Sequence, residues 1–324
     1  MKTIRIRLDS PVSASIALIA VLLSGLPAPA SAQAGAIAAP PSAIDAAQLM
    51  TDLRVLAADS MEGREVGTPG GQRARAYLLR RFDGIGLRPF GTGFEDRFSI
   101  TRRGAESRTA ANVIGYVAGT TRPNRYIVVT AHYDHVGIRD GEIFNGADDN
   151  ASGTAALLAL AAHFRASPAA HSIIFAALDA EEGGLRGARD FVADPPVPAD
   201  SIVMNINMDM VARGDTGELW AAGTHHYPAL RPLVEKLAET APVKLRIGHD
   251  SPDLPQGQDW TTASDHGPFH AAGIPFLYFG VEDHVDYHKA TDEADRIDAA
   301  FYADAVRTVL MAVRAVDASP PARS

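Results

Sequence analysis

Residues 125–130 (RYIVVT), 172–178 (SIIFAAL) and 201–208 (SIVMNINM) are apolar without the polar alternation of a half-exposed strand. Strands of that kind are covered on both faces, which places them in the interior of a sheet layered by helices. The segments around them supply the cover. Residues 46–57 (with Asp45 as a cap), 71–82 (ended by Gly84), 151–164, 187–192, 228–240 and 299–316 carry helical patterns. Further strands are expected at 111–117, 219–223 and 274–280. The alternation predicts an α/β chain: a three-layer α/β/α sandwich around a central mixed, mostly parallel sheet.

The ends of the chain read differently. Lys2, Arg5 and Arg7 precede an apolar run over 16–23 and the small-residue string Ala30-Ser31-Ala32. This is the pattern of a signal peptide over 1–32, cleaved near Ala32. The run is shorter than the roughly 20 apolar residues that span a bilayer, so no stable membrane insertion is expected. The expected destination is export, to a bacterial periplasm or the medium. Residues 33–44 are rich in Ala and Pro and read as a disordered linker, and 318–324 as a disordered tail. No repeat or long linker interrupts 45–317, which is therefore expected to form one domain.

Composition removes several functions. The 39 Asp and Glu against 30 Lys and Arg leave a formal charge of −9, the wrong sign for a nucleic-acid binder. The chain has no Cys. Disulfides, thiolate metal sites and cysteine nucleophiles are thereby excluded together.

The informative residues lie where the apolar strands end. The first strand runs into His132-Tyr133-Asp134, the second into Asp179-Ala180-Glu181-Glu182, the third into Asp209, and the last into a segment holding Tyr287 and His288. Ligands of open α/β sheets bind beyond the carboxyl ends of the strands, so these residues are expected in one cleft. In extended chain His132 and Asp134 point to the same side, which allows a carboxylate to hold the imidazole for a metal. Asp148 and Asp149 open the helix at 151, flanked by Gly146 and Gly153. They read either as caps or, since one cap suffices, as a cap and a metal-reaching acid. Glu181 and Glu182 read either as a solvated loop or as one ligand and one general base. Oxygen and imidazole donors without sulfur suit Zn²⁺, with Mn²⁺ or Co²⁺ as substitutes. Two His and three carboxylates exceed the needs of one tetrahedral ion and fit two bridged ions.

The strings AHYDHVG (131–137), IFNGADDNASGTAALLALA (143–161), FAALDAEEGGLRGARDF (175–191), NINMDM (205–210), SDHGPF (264–269) and DYHKATDEADRI (286–297) resemble the co-catalytic di-zinc aminopeptidases of the bacterial leucyl type. A weaker likeness covers LAADSMEGREVGTPGGQRARAYL (56–78). The resemblance implies a zinc-dependent exopeptidase fold and two Zn²⁺ per chain. It implies His132 and Asp209 on one ion, Glu182 and His288 on the other, and Asp149 bridging both. Asp134 would orient His132, and Glu181 would act as general base and acid. The peptide bond after Asp149 is often cis in this family. Tyr287 is expected either to donate to the substrate carbonyl or to pack beside His288. The implied substrate is a peptide with a free N-terminus, and a monomer is expected. Ala212 stands where Gly is expected, at a position assigned to the rim. A di-zinc carboxypeptidase or amidohydrolase of the same clan is the alternative enzyme, and a non-catalytic zinc-dependent binding protein the alternative class. Ser264 and Asp265 are expected to cap a helix entered at His266, and Asp292, Glu293 and Asp295 to precede and cap the last helix. His135, His266 and His284 are expected near the cleft or at the surface.

Overall fold

The computed structural model describes residues 44–101 and 107–321. The signal-peptide assignment, nearly all of the linker at 33–44 and the last three residues of the tail lie outside the described residues. Among the described residues the strands are β1 (Glu95–Ile100), β2 (Arg108–Val117), β3 (Arg122–His132), β4 (Gly137–Arg139), β5 (Glu142–Phe144), β6 (His171–Leu178), β7 (Ile202–Met208), β8 (Glu218–Ala222), β9 (Lys244–Ile247) and β10 (Phe276–Gly280). The α-helices are α1 (Ala46–Leu56), α2 (Pro69–Ile85), α3 (Gly153–Ala166), α4 (Arg186–Ala193), α5 (Arg231–Ala238), α6 (His266–Ala271) and α7 (Ala299–Ala318).

Eight strands form one mixed sheet in the order β1-β2-β6-β3-β7-β10-β8-β9, and β4 and β5 form a separate hairpin. The four central strands β6, β3, β7 and β10 run parallel, so their carboxyl ends share one edge. The apolar runs of the sequence are these strands. Period-two alternation divides each between two cores. Ile127, Val129, Ile173, Phe175 and Ala177 face the core beneath α1, α2, α3, α5 and α7. Val128, Ile174, Ala176 and Leu178 face the core beneath α4 and α6, where they meet Ala188, Phe191 and Phe269. Each fully buried large side chain contributes roughly 1.5–3 kcal/mol relative to its exposed state. This is the three-layer sandwich expected from the sequence. No helix among the described residues is long and apolar enough to cross a membrane.

The edges were less legible. β1 (EDRFSI) and β9 (KLRI) alternate polar and apolar residues at the margins of the sheet and gave no buried run. Helix α2 begins at Pro69 behind the Thr68 cap and ends at the left-handed Gly86, not at Gly84. Two caps differ from those expected. Asp298 caps α7, its carboxylate accepting from Ala300 and Phe301, whereas Asp292 accepts the N–H groups of Asp148 and Asp149. Ser264 does not cap α6: its hydroxyl accepts from the Asn207 amide, and the buried Asp265 carboxylate has no hydrogen-bond partner among the described residues.

Candidate metal centre

Strand register builds the centre. Thr130 on β3 pairs with Asn207 on β7, so His132 and Asp209, two residues further along each strand, leave the sheet side by side. His132 also pairs with Leu178 on β6, which brings Glu181 and Glu182 in from the other flank three and four residues later. Asp149 arrives on the turn that opens α3. There Gly146 holds φ +53° and a Cβ would lie 2.0 Å from the Asp149 carbonyl, so no side chain fits. The Asp149–Asn150 peptide bond is cis. His288 sits on the loop after β10.

His132 Nε2 lies 3.2 Å from Asp209 Oδ1 and 3.4 Å from Asp149 Oδ1. The other oxygen of Asp149 lies 3.0 Å from His288 Nε2, which is 3.4 Å from Glu182 Oε2. One carboxylate thus stands between two imidazoles. Donor atoms of His132, Glu181 and Asp209 lie within 4.8 Å of one another, as do those of His135, Asp149 and Glu182. All seven expected residues of the centre (His132, Asp134, Asp149, Glu181, Glu182, Asp209 and His288) therefore converge, and His135 joins them. Its Nδ1 is 2.8 Å from Glu182 Oε1, and the ring is fully buried.

The Asp134 geometry differs from a simple carboxylate–imidazole pair. His132 Nδ1 donates to the Asp134 main-chain carbonyl at 3.1 Å, while the carboxylate stands 3.7 Å away. A carbonyl can only accept, so Nδ1 carries the proton and Nε2 is directed to the cleft. The Asp134 carboxylate instead accepts from the N–H groups of Glu181 (2.9 Å) and Glu182 (3.4 Å).

Electrostatics follow from burial and crowding. Burial pushes the Glu181 carboxyl well above the ordinary range, and Asp209, Asp265 and Asp134 add to the shift against His132. Burial opposes charge on His132, yet Asp209, Glu181 and Asp149 outweigh it and raise its pKa well above normal. Burial would raise Glu182, but the His135 and His288 imidazoles, 2.8 and 3.4 Å from its oxygens, hold it below the carboxylate range. His288 is raised to about 10 by hydrogen bonds to Asp149 and Glu182. Without a cation the carboxylates thus hold protons on both imidazoles. The cleft, about 310 Å³, is lined by His132, Asp149, Glu181, Glu182, Asp209 and His288 together with Gly184, Leu185, Met210, Thr262, Ala263 and Tyr287, and among the described residues no Lys or Arg joins its wall. A pocket of acids and imidazoles with no cationic side chain on its wall fits divalent cations.

Residues outside the expected set complete the support. Asp148 is fully buried. It accepts from Ala212 N–H at 2.8 Å and lies 3.2 Å from His284 Nε2. Ala212 is therefore buried behind the centre, not on its rim. Arg213 donates to Asp286 at 2.7 Å and fastens the loop that carries Tyr287 and His288. Tyr287 is stacked on His288, ring centroids 4.1 Å apart. Asp148 and Asp292 lie inside strings quoted above, but nothing in their spacing distinguishes a supporting acid from a cap.

The fold and this centre define a class: α/β sandwich proteins with a carboxylate–imidazole site for divalent cations at the carboxyl edge of the sheet. Within that class the model of peptidase family M28 matches residues 112–313, and the chain belongs to that family. Aminopeptidase YwaD of Bacillus subtilis is 31% identical over 228 residues, covering 68% of this chain and 44% of that protein. The alkaline phosphatase isozyme conversion protein of Escherichia coli is 28% identical over 167 residues, 47% of this chain and 48% of that protein. The chain thus spans about half the length of these curated relatives. The zinc aminopeptidase BSAP from Bacillus subtilis superposes with a TM-score of 0.69 at 18% identity, covering 85% of this chain and 96% of that structure. That likeness establishes the fold.

Proposed function

We propose that the protein is a zinc-dependent aminopeptidase that removes N-terminal residues from peptides using two metal ions. Membership of peptidase family M28 and the likeness to aminopeptidase YwaD support the activity. The observation that carries the two-metal reading is the Asp149 carboxylate, one oxygen facing His132 and the other His288. His132 and Asp209 would hold one ion, Glu182 and His288 the other, and Asp149 both. Bound zinc supplies Lewis acidity and lowers the pKa of water.

The chain's own groups do the rest. Glu181, set on the cleft wall beside Asp209 and held at its N–H by Asp134, takes the proton of the attacking water and returns it to the leaving amine. Burial raises its pKa above the ordinary carboxylate range, the direction that makes a carboxylate a better proton acceptor. Asp134 fixes the His132 tautomer through its carbonyl and the Glu181 backbone through its carboxylate. Tyr287 lines the cleft beside His288 and is proposed as a donor to the scissile carbonyl. Excess carboxylate in the cleft favours a substrate ammonium group, hence a free N-terminus. We further propose that the enzyme acts as an exported monomer after removal of residues 1–32.

The test is a pair of substrates, an aminoacyl p-nitroanilide and its N-acetyl derivative. The free amine should be cleaved and the acetylated one refused. Equal cleavage of both, or preference for peptides by their free C-terminus, would overturn the aminopeptidase reading.

A further inference from the structure

Among the described residues, the largest side chain fully withdrawn from solvent is a cation, Arg64. It belongs to a short 3₁₀ segment, Asp59–Arg64, ahead of α2. Its guanidinium makes four hydrogen bonds, all to main-chain carbonyls. Nε donates to Tyr133 (2.8 Å), Nη1 to Leu56 (2.8 Å) and Asn145 (2.5 Å), and Nη2 to Gly146 (2.9 Å). Tyr133 lies between His132 and Asp134. Asn145 and Gly146 open the turn that delivers Asp148 and Asp149. Leu56 ends α1. One planar fork therefore ties together the exit of β3, the turn before α3 and the end of α1.

The backbone is bent to allow it. Glu62, Gly63 and Arg64 all adopt left-handed φ, at 49°, 64° and 52°, two of them non-glycine. Such a conformation is costly for side-chain-bearing residues and persists only where the surroundings enforce it. At Gly63 a Cβ would lie 2.5 Å from the carbonyls of Gly137 and Phe144, so the segment is pressed against the β4–β5 hairpin. A buried cation without a carboxylate in its hydrogen bonds is unfavourable unless negative charge stands nearby. Burial lowers the Arg64 pKa to about 10, and Asp149, Asp292, Asp134 and Glu182 offset only part of that loss of solvation.

We propose that Arg64 is a positioning residue for the metal centre, a rear cation whose fork sets the spacing between the His132 strand end and the Asp149 turn. It touches none of the proposed ligand side chains and acts through the main chain of their neighbours. The inference rests on the two-metal reading above. Lys cannot replace it, because an ammonium is a point charge without the planar arrangement of donors that four carbonyls from three segments require.

The experiment is Co²⁺ titration of the metal-free protein followed by visible absorption, which requires no peptidase activity, with circular dichroism to verify folding. R64K should fold, bind Co²⁺ at least about tenfold more weakly, the scale of lost ligand support, and show an altered spectrum. If R64K does not fold, R64A is titrated in low millimolar guanidinium and, separately, methylammonium. Recovery of Co²⁺ binding by guanidinium alone supports the proposal. A folded R64K with wild-type affinity and spectrum overturns it, as does R64A that neither cation restores or both restore equally. Wild-type protein that binds no Co²⁺ would instead refute the metal-site reading itself.

Discussion

The Asp134 carboxylate accepts the main-chain N–H of Glu181 at 2.9 Å, so the acid two residues after His132 also anchors the residue proposed as general base. An amide at this position keeps the shape but offers one oxygen in place of two. D134N is expected to retain metal and lose about 10–100-fold in kcat, the scale of second-layer effects at metal sites. Steady-state kinetics with zinc analysis checks this; wild-type kcat would remove Asp134 from the support of Glu181.

As a general base, Glu181 is separable from metal binding. E181Q should keep its zinc while kcat falls by at least ~10², the usual scale for loss of a general base. Loss of zinc in this variant would make Glu181 a ligand instead, a role its proximity to His132 and Asp209 also permits.

Metal uptake should be proton-linked. In the metal-free protein His288 is raised to about 10 by Asp149 and Glu182, so its charged form contributes stability that is complete below the unfolded value of ~6.5 and is lost as pH rises through about 10. Glu182 is held below its ordinary range, so its contribution is present above ~4.5 and lost as pH falls further. A cation binding at His288 must displace its proton, and His132 is raised as well. Titration calorimetry at pH 8 in buffers of different ionisation enthalpy should register proton release, with affinity rising with pH. Buffer-independent heats would contradict the charged state of both imidazoles.

Two acids near the last helix should behave in opposite ways. Asp298 caps α7, and D298A should cost about 1 kcal/mol with metal binding unchanged. Asp292 holds the N–H groups of Asp148 and Asp149 and is fully buried. D292A should lower Co²⁺ affinity about 10–100-fold as well as stability. Thermal melts and Co²⁺ titrations of both variants test the pair. Intact Co²⁺ affinity in D292A would restore Asp292 to a merely structural role.

The sequence carried the sandwich and its central strands because doubly covered strands must be apolar throughout. The residues that face the cleft were legible for the same reason: a polar residue directly after such a run has no place in either core. What was hidden depends on partners distant in the chain. Nothing in the string around Arg64 marks a guanidinium bound to carbonyls 8, 69, 81 and 82 residues away. Asp292 read as a cap because acids before a helix usually are, and only the fold brings it to Asp148. His135 has no periodic signal, since it enters the cluster through the turn after β3. The edge strands β1 and β9 take their cover from one side only and leave no apolar run.

Two ions are proposed to act together around Asp149. Its most direct test is stepwise return of Zn²⁺ to chelated protein while hydrolysis of a free aminoacyl p-nitroanilide is followed. Activity should rise to a plateau at two equivalents of zinc per chain. A plateau at one equivalent, or hydrolysis that survives complete removal of metal, would rule out a two-ion reaction at this site.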